Sequence, residues 1–425
     1  MNGSVMDVLR EGYSRPIRDV LWGHVYLSPG MEALTGAAAF MRLHRIFQLG
    51  PTYCAYPGAT HTRAGHSIGV YYLSRRLLLQ LAEQGADKWL SPSGARSFIC
   101  AGLLHDLGHF PYAHSLKELP LKSHEKLTGE AIRAEPLRSL IGKAGAEPDL
   151  CAAIVDTSLP VDSDEIGFYR KLLSGALDPD KLDYLNRDAR YCGVPYGAQD
   201  VDFILSRLSP HPERGVDIDS RGIPSVESIL FSKYLMYRTV YWHHVVRSAT
   251  AMIKKSLLSG LEGKFLAPEE LYGLDDQGLF SLLETRRYPL ASLGARVRDG
   301  SLYVLGAGIP FSVEKHHLLQ DISRRSRHEE ALAAALSSET GKKIPPEALI
   351  IDIPEPVSFE TGLFVRDEGK AFAESSSAFR PGLVKSFIKS LHIIRIFMDS
   401  EAGFGLNLKT ELYKVLHNEE NWLHL

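Results

Sequence analysis

Histidine carries most of the chemistry this chain could do. The densest stretch runs Leu104-His105-Asp106-Leu107-Gly108-His109-Phe110-Pro111-Tyr112-Ala113-His114, in which three imidazoles accompany one carboxylate. Imidazole is the commonest metal-binding side chain and the one that changes charge near neutral pH, so such a run can hold a cation or move a proton. On a helix His105 and His109 share a face, with Asp106 turned about 100° away. Neighbouring His and Asp can still converge on one cation, because their ligand atoms extend to different distances from the axis. Gly108 and Pro111 loosen or end such a helix, which would let His114 swing back over the same pocket. A lone His-Asp pair is most often a helix-end hydrogen bond, so other segments must decide.

Two segments bear on the choice. Upstream, His61-Thr-Arg63-Ala-Gly65-His66-Ser-Ile-Gly-Val70 leads into an amphipathic helix that His66 opens and Leu81 closes. Downstream, Asp178-Pro179 reads as a cap followed by proline at the first helical position. Asp180, Asp183, Tyr184 and Arg187 then fall on one continuous polar face, with Leu182 and Leu185 opposite. A polar face is ordinarily a solvated one. Its mixture of acid, base and phenol also suits the wall of a site.

The elements that must position these residues are mostly helical. From Ala37 to about Leu258 apolar residues recur at helical spacing, as in Val70, Leu73, Leu77 and Leu81, or Phe203, Leu205 and Leu208. After Gly260 the texture changes. Ser301–Leu305, Leu349–Ile353 and Gly362–Arg366 read as short strands, the last ending in a turn at Asp367-Glu368-Gly369. Arg327 to Leu336 and Leu383 to Phe397 read as helices. The expected fold is therefore mostly α, a helical body over residues 1–260 with a smaller C-terminal α+β lobe over 261–425.

A length of 425 residues exceeds one ordinary core and fits that division. Hydrophobic residues at 44% and charged residues at 23% exclude a disordered chain and a membrane bundle. The 48 basic and 51 acidic side chains give a net charge of −3, which gives no general pull on nucleic acid but leaves room for a local patch. Cys54, Cys100, Cys151 and Cys192 are scattered, which argues against a zinc ribbon or disulfide scaffold and fits a reducing compartment. No run approaches the roughly 20 apolar residues of a membrane span, and the first 20 residues do not read as a secretory signal. A cytoplasmic protein is the expectation.

His66, the His105-Asp106 dyad and Asp180, in that order, resemble the metal-binding pattern of the HD superfamily of phosphohydrolases. The chain is most similar to the deoxynucleoside triphosphate triphosphohydrolase branch, including the catalytic core of the SAM-and-HD-domain enzyme. Gln48-Leu49-Gly50, Pro57-Gly-Ala, Arg63, Gly65-His66-Ser, His105-Asp-Leu-Gly-His109, His114, His124-Glu125, Asp180-Lys181, Asp183-Tyr184 and Arg187-Asp188 carry the resemblance. Asp19 and Gly23-His24 resemble the family's Asp-Pro-Ile-His-Gly opening. The similarity runs from about residue 18 to 250, and more weakly through Leu349–Pro354.

The resemblance implies one divalent metal held by His66, His105, Asp106 and Asp180. Two imidazoles and two carboxylates suit manganese, iron or magnesium, with zinc left open. It implies water attack on the α-phosphorus of a deoxynucleoside triphosphate, entering as its magnesium complex and leaving as a deoxynucleoside and triphosphate. The departing 5′ oxygen needs a proton, which a histidine near neutral pKa could supply. His124 matches the family's acid, with Glu125 beside it and His109 and His114 close in the pocket. Arg63 and Lys181 match phosphate-holding positions. Gln48, with Leu49 beside it, and Asp188 match those that hold the 3′-hydroxyl. Tyr241 matches a ring packed against the 2′ carbon, which would reject ribonucleotides by its bulk, with Tyr184, His243 and His244 nearby. Homo-oligomers, dimers or tetramers, are implied as well.

The chain also departs from the pattern. Gly36, Met41 and His44 stand where nucleotide-activated relatives read a guanine, and none makes the same contacts. Lys117 stands where relatives have an acidic partner for a catalytic histidine; Glu118 is adjacent but would point elsewhere. Two further readings follow: hydrolysis of another nucleotide phosphoester, such as a monophosphate or an alarmone, or regulation by binding a nucleotide or single-stranded nucleic acid with little catalysis.

Overall fold

The computed structural model describes residues 3–400 and Thr410. Three helices form the scaffold of the body: Arg63–Glu83, Pro92–Leu104 and Pro179–Cys192. The first packs against the other two. Pro92–Leu104 is apolar on nearly every side and almost wholly buried, which makes it the central rod. Its start is fixed by Ser91, whose hydroxyl accepts from the Gly94 amide, and by Pro92 at the first turn. Asp178 caps Pro179–Cys192 by accepting from the Lys181 amide, as its sequence predicts. Gly193 ends that helix with φ +68°, a left-handed conformation that glycine adopts without strain. Both of the site-bearing starts, at His66 and at Asp180, are thus first turns of long helices whose apolar faces are sunk in the core.

Around this scaffold the described residues place helices and small sheets. The mostly helical body with a small α+β lobe is the expected class. The lobe holds a three-stranded antiparallel sheet in the order Val304–Pro310, Ile393–Met398, Leu349–Asp352, covered by the helix Ile322–Thr340. Leu332, Ala333 and Leu336 on that helix meet Ile351, Ile394 and Ile396 on the sheet. The ion pair of Arg247 with Asp352 ties the sheet to the helix His244–Glu262.

Several elements differ from the sequence expectation. The helix expected over Leu383–Phe397 is Pro381–Leu391, after which His392 turns extended and Ile393–Met398 becomes the middle strand of the lobe. An apolar run reads alike in either state, and here the β-branched Ile393, Ile394 and Ile396 decide for the strand. The strand expected at Ser301–Leu305 begins at Val304 and continues to Pro310, because Gly306 and Gly308 lie within it around an irregularity at Leu305/Ala307. Phe364–Val365 does form a strand, but it pairs with Gly215–Ile218 in a sheet of the body. Phe203 is exposed; Val201, Ile204 and Leu205 are the buried residues of their helix. No helix among the described residues is long and apolar enough to cross a membrane, and the four cysteines are free.

Candidate metal centre and active site

The structure brings His66, His105, Asp106 and Asp180 together from three elements. His66 lies on the first turn of Arg63–Glu83, and Asp180 on the first turn of Pro179–Cys192. His105 and Asp106 occupy the turn that ends Pro92–Leu104. His66 Nε2 is 2.9 Å from Asp180 Oδ1, and His105 Nε2 is 3.4 Å from Asp106 Oδ1 and 3.8 Å from Asp180 Oδ1. Ligand atoms of His66, His105 and Asp106 all lie within 4.8 Å of one another.

The tautomers fit a cation. His66 Nδ1 lies 2.8 Å from Asp183 Oδ2, and His105 Nδ1 lies 3.0 Å from the Gly102 carbonyl. Both partners only accept, so each proton sits on Nδ1 and each Nε2 presents a lone pair to the centre. His105 Nε2 is buried with no hydrogen-bond partner. Two acceptors 2.9 Å apart, as at His66 and Asp180, need a positive charge between them. A proton can supply that charge: burial opposes it, but hydrogen bonds to Asp180 and Asp183 push His66 up to about 10. These donors fit a divalent ion.

Behind His66 stands a buried charge network. Asp183 accepts from His66, from Trp22 Nε1 at 2.6 Å and from Arg187 through both carboxylate oxygens; Arg187 also reaches Asp19 at 3.0 Å. Burial works against a charged Asp183, yet Arg187 and His66 hold it at about 2. A Cβ at Gly69 would sit 1.8 Å from Asp183 Oδ1, so only glycine lets this pair dock against the His66 helix. The polar face expected of Asp183 and Arg187 is therefore buried, not solvated.

Next to the centre stands a histidine trio. The rings of His109 and His124 stack at 3.8 Å, and His114 lies 4.5 Å from His109 and 4.7 Å from His124. Burial, with help from Arg63 and neighbouring imidazoles, pushes His109 and His114 well below the usual histidine value; burial, opposed by Asp106, lowers His124 to about 3. At the position expected to carry a near-neutral acid, burial therefore favours the neutral imidazole. Glu125 Oε1 lies 3.2 Å from His124 Nε2, and a cavity of about 380 Å³ opens beside them, lined by Phe110, Lys117, Lys122, His124 and Glu125. Glu118 does point elsewhere, pairing with Lys254 and Arg325. Arg42 fixes the loop below: its guanidinium donates to the carbonyls of Leu107, His109 and Leu274.

Asp188 anchors a third group. It accepts from His61 Nε2 at 2.8 Å and from Tyr241 OH at 2.6 Å. Tyr241 reaches it from a π-helical turn, Tyr237–Tyr241, a distortion common at functional sites. Gln48 pairs its backbone with His61 while its side-chain Oε1 is buried and unpartnered; Leu49 follows it into the turn Gly50–Cys54. Tyr184 packs, partly buried, against the core. Arg63 is 4% exposed and donates to Asp106 at 2.7 Å, so it is no free surface cation. Lys181 is tied to Asp178 at 2.7 Å and to the Gly175 carbonyl. His243 is spent on capping the helix His244–Glu262 and meets Tyr56, and His244 is exposed; no contact joins either to Asp188.

Comparison with known proteins bears on this geometry. Residues 63–157 match the HD domain and residues 200–378 match the HD associated region. This is therefore a protein with an HD domain and its associated region. The uncharacterized protein YwfO of Bacillus subtilis is 37% identical over 53% of this HD protein and 50% of its own length. A homolog of the deoxynucleoside triphosphate triphosphohydrolase SAMHD1 from Dictyostelium discoideum is 25% identical over 71% of this chain and 62% of its own. The HD protein spans about half the length of the first of these. The crystal structure of a hypothetical protein from Aquifex aeolicus superposes with a TM-score of 0.71 at 27% identity, over 93% of this chain and 99% of that one.

Asp180 falls between the two matched regions of the HD protein, so its place at the centre rests on its distance from His66. Three participants were not legible as such in the sequence. His61 was visible only as part of a motif, and its pairing with Asp188 crosses 127 residues. Asp183 stood on a face that reads as solvated, because its four-residue spacing to Arg187 is common on surfaces. Arg42 carried no signal at all.

Proposed function

We propose that this HD protein hydrolyses deoxynucleoside triphosphates to deoxynucleosides and triphosphate. The observation that carries the reading is the convergence of His66, His105, Asp106 and Asp180 beside a neutral histidine trio and the Asp188–Tyr241 pair. A divalent ion held by those four residues, with manganese, iron and magnesium the candidates, would supply Lewis-acid polarisation of a phosphoryl oxygen and acidify water.

The chain's own residues do the rest. Asp183 holds the His66 ring so that Nε2 faces the centre, and Arg63 engages Asp106 Oδ2 while leaving Oδ1 towards it. A bound polyphosphate lays negative charge beside the trio, which raises the proton affinity of His124 from its depressed value. The protonated ring can then pass its proton to the departing 5′ oxygen, with Glu125 at hand to steady the imidazolium. Asp188, pinned from two sides, and the unpartnered Gln48 Oε1 suit a 3′-hydroxyl. The Tyr241 ring then excludes a 2′-hydroxyl by bulk. We assign the chemistry to residues 1–260, and to 261–425 a supporting role that includes contacts between copies in a homo-oligomer.

Purified protein incubated with each dNTP and Mn²⁺ or Mg²⁺ should release triphosphate. Orthophosphate in its place would transfer the reading to another phosphoester, and metal binding without any product would leave a nucleotide-binding regulator.

A further inference from the structure

Lys181 and Lys233 approach each other from two helices, Pro179–Cys192 and Ile223–Met236, and a carboxylate already stands between them. Glu360 Oε2 is 2.8 Å from Lys233 Nζ and 4.0 Å from Lys181 Nζ, while its Oε1 accepts from Ser358 at 2.8 Å. Glu360 lies on an irregular segment between the strands Leu349–Asp352 and Phe364–Val365, held by the buried Val357, Phe359 and Leu363. The Glu360 side chain is 33% exposed, so its carboxylate has a path into solvent.

Lys233 cannot do the same. It is 5% exposed, and Glu360 is its only ion-pair partner among the described residues. A buried ammonium without an anion is costly, so whatever displaces Glu360 must replace its charge. The location gives the displacing anion its source. Lys181 follows Asp180 in the chain, and both Tyr184 and Tyr237 feel the charges of Asp180 and Glu360 together.

We propose that Glu360 is a specificity-determining residue: a resident anion that a polyphosphate displaces from Lys181 and Lys233 and a single phosphate does not. This rests on the reading of the neighbouring centre as a phosphate-ester site. A tethered carboxylate competes at a local concentration on the order of millimolar, which a singly or doubly charged anion does not overcome. A chain of phosphates carrying up to about four charges does, because it pairs with Lys233 and reaches Lys181 as well, which keeps its bond to Asp178. The residue therefore screens substrates by phosphate number before chemistry begins.

Titration calorimetry of the full chain in EDTA, with sodium tripolyphosphate and with orthophosphate at fixed ionic strength, tests this. Glu360→Gln should tighten orthophosphate by at least about tenfold and tripolyphosphate by less, so that selectivity between them shrinks. Adding Lys233→Met should remove the gain. An unchanged selectivity ratio, or a gain that survives Lys233→Met, overturns the proposal. If Glu360→Gln does not fold, Glu360→Asp, whose carboxylate is drawn back by one methylene, should move the ratio the same way; no movement counts against it. Hydrolysis of dNTPs with an unchanged ratio would keep the proposed function and remove this inference. A changed ratio without hydrolysis would do the reverse.

Discussion

The metal pocket and the trio are built from the same side chain, yet they end in opposite states. His66 faces two carboxylates, Asp180 and Asp183, and is pushed up to about 10. At His109, His114 and His124 burial dominates and drives all three down, although Asp106 lies 3.2 Å from His109 and Glu125 3.2 Å from His124. Burial alone favours the neutral imidazole, and direct hydrogen bonds to two carboxylates reverse it at His66. The first group is thus arranged to hold positive charge. The second is arranged to stay uncharged.

Removing the first group should have the largest effect. His105→Ala with Asp106→Ala should abolish turnover and bound metal, measured by product release and elemental analysis, while circular dichroism stays native; full activity would break the assignment. In the second group, His124→Gln should lower kcat by about 10²–10⁴-fold with little change in KM, because only the proton transfer is lost. An equal loss in KM would make His124 a binding residue instead. Asp183→Asn should weaken metal binding by about 10–100-fold, read by competitive chelation, since it orients His66 without touching the ion.

The smallest effect lies in stability against pH. Unfolded histidines bind a proton near 6.5, while His109, His114 and His124 resist it in the fold. Their contribution is full above pH 6.5 and drains as pH falls towards 3, the folded value of His124. Denaturant titrations across that window, with metal removed, should show a loss of about 1.4 kcal/mol per pH unit for each imidazole that must charge. His124→Gln should flatten the slope by one such increment. An unaltered slope would mean that the trio is not what resists acid.

The four residues of the pocket were read from the order of their motifs, through a family resemblance, and local signals placed their elements: Asp178-Pro179 opens the helix of Asp180, and the apolar rod ending at Leu104 leads into His105. The polar supports were harder, since His61 to Asp188 and Trp22 to Asp183 are long-range pairs with no periodicity. The lobe was harder again. Ile393–Met398 is a strand because two neighbours pair with it, and neither neighbour adjoins it in sequence. The π-turn that carries Tyr241 to Asp188 has no residue signature either.

Arg42 holds the carbonyls of Leu107 and His109 together with that of Leu274. During synthesis Leu274 leaves the ribosome long after His109 does. The loop that carries the trio can therefore reach its final form only once the chain has grown past that residue. Helices such as Arg63–Glu83 and Pro92–Leu104 can assemble early, but the last adjustment of the histidines waits for a later segment. A nascent chain stopped short of Leu274 would keep the Arg42 bonds to Leu107 and His109 but lack the third, which ties that loop to the later segment.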